Sequence, residues 1–320
     1  MNTTDESLCM LRAVALAKRG LGHTRPNPSV GAVVARGGRI IGEGWHKKAG
    51  CDHAEVAAIK DAARRGESVE GATIYVTLEP CSRPGRVGAC TDAIAAAGIS
   101  GVVYAVKDPN PKNRGRARRA LARVGISCRM ICDKAVQREA ENLILPFAKH
   151  VTTGLPYVTV KIAMSLDGRI CDNWGNARWI SSASARKFTS GEMRETVDAI
   201  MVGAETIRKD NPSLLSHGRR NNDLIRVIVS RSGDLPGDAQ VFTDGAPNET
   251  MVFDDAKKAV EELGRRGVMH VLCEGGMKLA VSLAEAGLVD EWMTVLSPKV
   301  VGTRRIGEAT KIGRTICLQG

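Results

Sequence analysis

The chain has 320 residues, 43% of them hydrophobic, and a formal net charge of +11 at pH 7, the composition of a globular protein of about two domains. No apolar run reaches the length of a membrane span, residues 1–6 carry no apolar stretch, and nine scattered cysteines read as reduced thiols, so no membrane span, secretory leader or disulfide scaffold is expected, and a cytoplasmic enzyme is. The densest basic run, Lys112 to Arg123, carries no interleaved aromatic residue to stack a base, so no nucleic-acid partner is expected.

In chain order, residues 7–19 carry Leu8, Leu11, Val14 and Ala15 at helical spacing and stop at Gly20. Pro26-Asn27-Pro28 is a loop, and residues 30–35 and 40–45 are strands around Gly37-Gly38, a hairpin signal. Residues 53–65 predict a helix ending near Gly66, which puts His53 and Glu55 at its N-terminus. Residues 73–78 are a β-branched strand followed directly by Pro80-Cys81. A helix over 90–97, a strand over 101–106, a helix over 114–124 and a strand over 126–131 complete a mixed sheet with helices on its faces. Residues 133–149 read as a helix that leads to a break at Thr152-Thr153-Gly154-Leu155-Pro156, so the expected domains are 1–150 and 151–320. The second half alternates again. Strands are expected over 157–163, 198–203, 224–230, 250–253, 270–274 and 291–297, with helices over 183–194, 256–266 and 277–286 and a loose polar stretch up to 248. A mostly parallel α/β sheet follows from that alternation.

The chemistry concentrates in Cys51-Asp52-His53-Ala54-Glu55, with Pro80-Cys81 and Cys90 downstream. One imidazole and two thiolates hold a zinc ion in three of its four tetrahedral positions, leaving the fourth for a water. The expected ligands are His53, Cys81 and Cys90. Glu55 has the reach to move the water's proton as a general acid/base. Such an arrangement deaminates an amino-heterocycle hydrolytically. The competing reading, a capped core histidine with two buried thiols, leaves the convergence of these residue types unexplained.

Several segments then resemble one family. Pro26-Asn27-Pro28-Ser29-Val30-Gly31, Gly44-Trp45-His46, His53-Ala54-Glu55, Val76-Thr77-Leu78-Glu79-Pro80-Cys81-Ser82 and Asp108-Pro109-Asn110-Pro111 resemble the deaminase half of the bifunctional riboflavin-biosynthesis deaminase–reductases. In the second half, Lys161-Ile162-Ala163-Met164-Ser165-Leu166-Asp167-Gly168-Arg169, Trp179-Ile180, Thr206, Asp210-Asn211-Pro212 and Glu274-Gly275-Gly276 resemble the reductase half. The resemblance runs over nearly the whole chain. It implies a cytidine-deaminase-like first domain and a dihydrofolate-reductase-like second domain. It implies zinc on His53, Cys81 and Cys90, with Glu55 as proton shuttle, deaminating a diaminopyrimidinone ribosylamine phosphate. The ribosyl group would then be reduced to ribityl with NADPH. Substrate contacts are implied at Asn27, His46, Arg86, Asp108 and Asn110. NADPH contacts are implied at Ala163, Trp179, Thr206, Asp210 and Gly276, and sugar-phosphate contacts at Arg194, Leu214 and Glu274. A homo-oligomer is also implied.

The residues of the second half carry a reading of their own. Glu274-Gly275-Gly276 joins a strand to a helix, and bare glycine amides at a helix N-terminus suit a pyrophosphate. The alternative is a tight turn that needs glycine only for its backbone. Lys161, at a strand end, is a catalytic candidate for polarising the imine or contacting substrate, with a structural ion pair as the competing reading. Three positions depart from the family pattern. Arg83 stands where a substrate-facing His is expected, Ala177 for a Ser and His217 for an Arg. These departures motivate a second reading, a diverged paralogue acting on a related pyrimidine. The charge and the shared zinc chemistry motivate a third, a tRNA base deaminase, which the long Cys81-to-Cys90 loop opposes.

Overall fold

The structure is a computed structural model, and it describes residues 3–83, 88–175, 179–217, 224–303, 310–311 and 316–319. It divides into two compact units, Met1–Gly154 and Leu155–Gly320.

The first unit is built on strands whose side chains are apolar on both faces. Its elements are α1 (Thr3–Ala17), β1 (Gly31–Arg36), β2 (Arg39–Trp45), α2 (Ala54–Arg64), β3 (Thr73–Leu78), α3 (Cys90–Ala96), β4 (Gly101–Val106), α4 (Arg116–Ala122), β5 (Ser127–Met130) and α5 (Lys134–Thr153). The sheet order is β2-β1-β3-β4-β5, with β1 antiparallel to β2 and β3, and β3, β4 and β5 parallel. Side chains alternate across the sheet with period two. Val33, Ala35, Tyr75 and Val103 face α1 and α5, while Ala32, Val34, Ile74 and Val76 face α2, α3 and α4. Helix α2 lies so close to β2 that a Cβ on Gly44 would meet Ala58 N at 2.4 Å and Ala54 O at 2.5 Å. Only glycine permits that approach, and the approach fixes where α2 begins. Helix α5 runs past the expected end at 149 and is closed by Gly154, whose φ of 76° lets its N–H reach the His150 carbonyl. The chain therefore passes between units after Gly154, within the break at residues 152–156.

The second unit contains β6 (Tyr157–Ser165), α6 (Ala183–Lys187), α7 (Arg194–Thr196), β7 (Ala199–Gly203), α8 (Ala204–Asp210), β8 (Ile225–Val229), α9 (Gln240–Thr243), β9 (Thr250–Phe253), α10 (Ala256–Arg265), β10 (His270–Cys273), α11 (Met277–Glu285), β11 (Glu291–Ser297), β12 (Lys299–Val300), β13 (Thr310–Lys311) and β14 (Ile316–Gln319). The seven-stranded sheet runs β14-β11-β6-β10-β7-β8-β9 and is parallel except for β14. Helices α10 and α11 cover one face through Ala259, Leu263, Ala280 and Leu283. Ile207, Leu214 and Val241 pack on the other with Ile200 and Ile228. The helix expected over 183–194 is interrupted by a π-helical turn at Phe188–Met193. The cause is local: the Thr189 and Ser190 hydroxyls both donate to the Arg186 carbonyl, at 3.0 and 2.8 Å, and divert it from the regular ladder.

Candidate active sites

In the first unit the strand β3 ends at Leu78, and Pro80 and Cys81 follow at the mouth of the sheet. His53 is the N-cap of α2, and Glu55 lies in its first turn. Cys90 opens α3. His53 Nδ1 lies 3.1 Å from Cys90 Sγ and 3.5 Å from Cys81 Sγ, and the two sulfurs are 3.3 Å apart. All three atoms thus share a space the size of one ion. One imidazole and two thiols so close together fit a tetrahedral zinc with one open position. The Cys90 N–H also points at Cys81 Sγ, at 3.3 Å, and favours negative charge there. The Cys90 thiol and the His53 ring hold the Cys81 thiol well below its usual range. Glu55 is buried, 3% exposed. Burial, reinforced by the Cys81 charge, pushes its carboxyl up to about 7. A dication among the three ligands acts in the opposite sense and favours the carboxylate.

A cavity of about 110 Å³ opens beside these groups and is lined by Asn27, His46, His53, Glu55, Cys81 and Asp108, among others. Six of the residues expected in the first half are thus gathered at one place. His46 is fixed by two contacts. Its Nδ1 meets the Asp52 carbonyl at 3.0 Å and its Nε2 meets Asn27 Nδ2 at 3.0 Å. A carbonyl only accepts, so the ring proton sits on Nδ1 and Nε2 accepts from Asn27. Burial lowers the His46 pKa, consistent with that neutral ring. The Asn27 amide is thereby held by its nitrogen. Asn110 does not line the cavity. Its N–H donates to Asp108 Oδ1 and its own Oδ1 accepts from Lys112 N–H, so its side chain serves its own turn. Arg86 lies outside the described residues, and Arg83 is exposed. Sequence reasoning passed over Glu79 and Phe147, which also line the cavity. Glu79 sat in plain view within the quoted Leu-Glu-Pro-Cys stretch.

In the second unit a cleft of about 540 Å³ is lined by Lys161, Ala163, Trp179, Arg194, Thr206, Asp210, Leu214 and Glu274, which brings eight of the predicted residues together. Arg194 forms a two-pronged pair with Glu274, Nε to Oε1 at 3.1 Å and a terminal nitrogen to Oε2 at 3.0 Å, and donates also to the Leu215 carbonyl at 2.8 Å. Burial opposes charge on Glu274, but Arg194 and Lys161 outweigh it and the carboxyl stays below its usual range. Three of the five guanidinium N–H donors are used, which leaves two for a ligand. Leu214 borders the cleft with φ at 56°, in the left-handed region, and is 1% exposed. Trp179 is 52% exposed, and the Arg186 guanidinium stacks 4.0 Å from its ring centroid.

Gly275 and Gly276 do not line the cleft but follow Glu274 into α11. A Cβ on Gly275 would meet Leu279 Cδ2 at 2.7 Å, whereas nothing lies within 4 Å of one on Gly276. Gly276 caps a nine-residue helix with no side-chain hydrogen bond at its N-terminus. Open space at bare amides, cationic Lys161, Arg186 and Arg194, and an exposed indole suit an anionic dinucleotide such as NADPH. Ala177 lies outside the described residues, while His217 borders the cleft. Arg186, Asn211 and Gln240 also line the cleft; Asn211 belongs to the Asp210-Asn211-Pro212 stretch that carries the resemblance, and Arg186 to the helix expected over 183–194, while nothing in the sequence marks Gln240.

Both units of the chain resemble known proteins. Residues 3–106 match the cytidine and deoxycytidylate deaminase zinc-binding region, and residues 156–312 match the RibD C-terminal domain. The riboflavin biosynthesis protein RibD of Aquifex aeolicus is 36% identical over 318 residues, 92% of this chain and 87% of that one. That of Escherichia coli is 35% identical over 339 residues, 95% of this chain and 90% of that one. Among solved structures, Acinetobacter baumannii RibD superposes with a TM-score of 0.83 at 31% identity over 99% of both chains. A diaminohydroxyphosphoribosylaminopyrimidine deaminase/5-amino-6-(5-phosphoribosylamino)uracil reductase from Thermotoga maritima superposes with a TM-score of 0.85 at 35% identity, covering 95% of this chain and 89% of that one.

Proposed function

The chain belongs to the RibD family, a zinc-dependent deaminase joined to an NADPH-dependent reductase of riboflavin biosynthesis, and we propose that its two steps are divided between the cavity of the first unit and the cleft of the second. The observation that carries this reading is the meeting of His53, Cys81, Cys90 and buried Glu55 around one ion-sized space. No comparison favours the diverged paralogue or the tRNA deaminase.

In the first step an amino group on the pyrimidine is replaced by oxygen, water being consumed and ammonia released. His53, Cys81 and Cys90 would hold zinc, which would supply the Lewis acidity that makes water acidic enough to lose a proton near neutral pH. Glu55 accepts that proton and returns it to the departing amine, a transfer contributing about 10²–10⁴ in rate. Its burial keeps bulk water from competing for the proton. Asn27, held by His46, and Asp108 orient the ring by its polar edge.

In the second step the ribosyl group becomes ribityl, and bound NADPH would supply the hydride. Ala163, Trp179, Thr206 and Asp210, which line the cleft, would hold the cofactor. Arg194, fixed by Glu274, meets the sugar phosphate with its two remaining donors. Lys161 faces the carbon to be reduced and polarises its imine. The phosphorylated pyrimidine is a small soluble molecule, and among the described residues no helix is long and apolar enough to cross a membrane. The proposal extends to a cytoplasmic homo-oligomer, which sedimentation of the purified protein would test.

The test of the first step is Glu55→Gln. The variant should keep one zinc per chain while ammonia release from the diaminopyrimidinone substrate falls about a thousandfold. Ammonia release at the parental rate would show that Glu55 is not the proton carrier.

A further inference from the structure

One side chain next to the zinc cavity bridges two of its walls. Asn113 is buried, 9% exposed, in the loop between β4 and α4. Its Nδ2 donates to Asp108 Oδ2 at 2.7 Å. Its Oδ1 accepts from Ser82 N–H at 3.0 Å and from the Ser82 hydroxyl at 3.3 Å. The amide has one workable orientation here, because the Ser82 N–H can only donate and the Asp108 carboxylate can only accept. Asp108 faces the cavity. Ser82 follows Cys81 directly. Asn113 therefore spans from a substrate-facing carboxylate to the backbone of a zinc ligand.

The rest of this loop is anchored independently. Buried Glu79 accepts from the N–H groups of Asp108, Gly115 and Ala117, at 3.3, 3.0 and 3.2 Å. Asp108 Oδ1 accepts from Asn110 N–H at 2.8 Å. These contacts hold the loop as a whole, but none of them reaches the Cys81–Ser82 backbone, and none fixes Asp108 Oδ2. Asn113 alone performs both tasks among the described contacts.

We propose that Asn113 is a positioning residue of the deaminase: it aims the Asp108 carboxylate at the pyrimidine and ties that aim to the backbone of Cys81. The proposal rests on the reading of the cavity as the pyrimidine site. Asp108 is partly desolvated, so its direction is set by the donors it meets rather than by water. A leucine at 113 removes both arms. An aspartate at 113 keeps an oxygen for Ser82 but removes the donor to Asp108.

Both substitutions should be compared with the parent in three measurements: steady-state ammonia release, the rate at which a chelator strips zinc, and reduction of the deaminated intermediate. Reduction belongs to the other unit and reports that the effect is confined to the first. In Asn113→Leu and Asn113→Asp alike, KM for ammonia release should rise about tenfold or more, the worth of one hydrogen bond to a charged group. The kcat should stay within about threefold. Zinc should leave Asn113→Leu several times faster than the parent, and Asn113→Asp at close to the parental rate. Parental KM in both variants, a fall confined to kcat, or equal zinc loss from the two variants would overturn the proposal. If the parent itself released no ammonia, the reading of the cavity would fall, and the zinc-loss comparison would still decide the role of Asn113.

Discussion

Replacing Gly44 by alanine tests how the fold delivers its ligands. The added methyl would lie 2.4 Å from Ala58 N, 2.5 Å from Ala54 O and 2.8 Å from Ala57 C. These are backbone atoms of α2, so no rotamer change relieves the contact, and the whole helix must move away from β2. Overpacking of this kind costs about 1–3 kcal/mol, and rigid neighbours place Gly44→Ala at the upper end, about 3 kcal/mol. For a domain of this size that lowers Tm by about 10 °C. The same displacement carries His53 and Glu55, since α2 starts at Ala54. A shift near 1 Å in reacting groups costs about a hundredfold in rate. Calorimetry should therefore show the transition of the first unit lowered, with deamination reduced about a hundredfold and the reductase step at the parental rate. Gly237→Ala is the control, because nothing lies within 4 Å of its added Cβ, and its effect should stay within about 0.5 kcal/mol. A Gly44→Ala protein with the parental Tm and parental deamination would refute the claim that this close approach sets the site.

Cys81→Ser and Cys90→Ser should each purify without stoichiometric zinc and lose ammonia release while still reducing the deaminated intermediate, as metal analysis and the two separate assays will show. Arg194→Met leaves the Glu274 carboxylate buried without its partner, which costs the second unit about 3–5 kcal/mol in thermal denaturation at neutral pH. The pH dependence of that loss has a definite sign. In the parent the Glu274 pKa is depressed, so its contribution is present above the ordinary carboxylate pKa and vanishes as pH falls through the depressed value. In the variant, burial raises it and only the Lys161 charge still opposes that rise. The Tm gap between parent and variant should therefore narrow as pH drops from about 6 to about 4. A constant gap would mean that Glu274 is not the group involved. Asn27→Ala should raise KM for deamination with little change in zinc content, since Asn27 is held by His46 and touches no ligand of the metal in the described contacts.

The sequence was most legible where one physical signal dominated. β3, β4, β9 and β11 begin and end where β-branched runs and their flanking turns predict. The zinc cluster was readable because His-x-Glu and two cysteines carry chemistry that few other arrangements require. Short elements were not legible. Helices α8 and α9 are too brief to show a helical period, and β12 to β14 are brief strands. The π-helical turn was hidden because its cause is a pair of hydroxyls competing for one carbonyl, a contact that no spacing rule encodes. Leu214 illustrates the limit at the second site. The sequence places it in the cleft, but not its backbone in the left-handed region, a conformation that no spacing rule encodes. Asn110 illustrates the same limit at the first: the residue is in the expected loop, but its Oδ1 accepts from the Lys112 N–H within the turn.

Mixing two inactive variants tests most directly that one chain carries two separate catalytic sites acting in order. Glu55→Gln and Lys161→Ala should each fail to oxidise NADPH when given the diaminopyrimidinone substrate, the first for want of deamination and the second for want of reduction. Combined in one cuvette they should regain NADPH oxidation, because the product released by Lys161→Ala is taken up by Glu55→Gln. NADPH oxidation by Glu55→Gln alone, or a silent mixture whose members each retain their untouched half-reaction, would contradict the account.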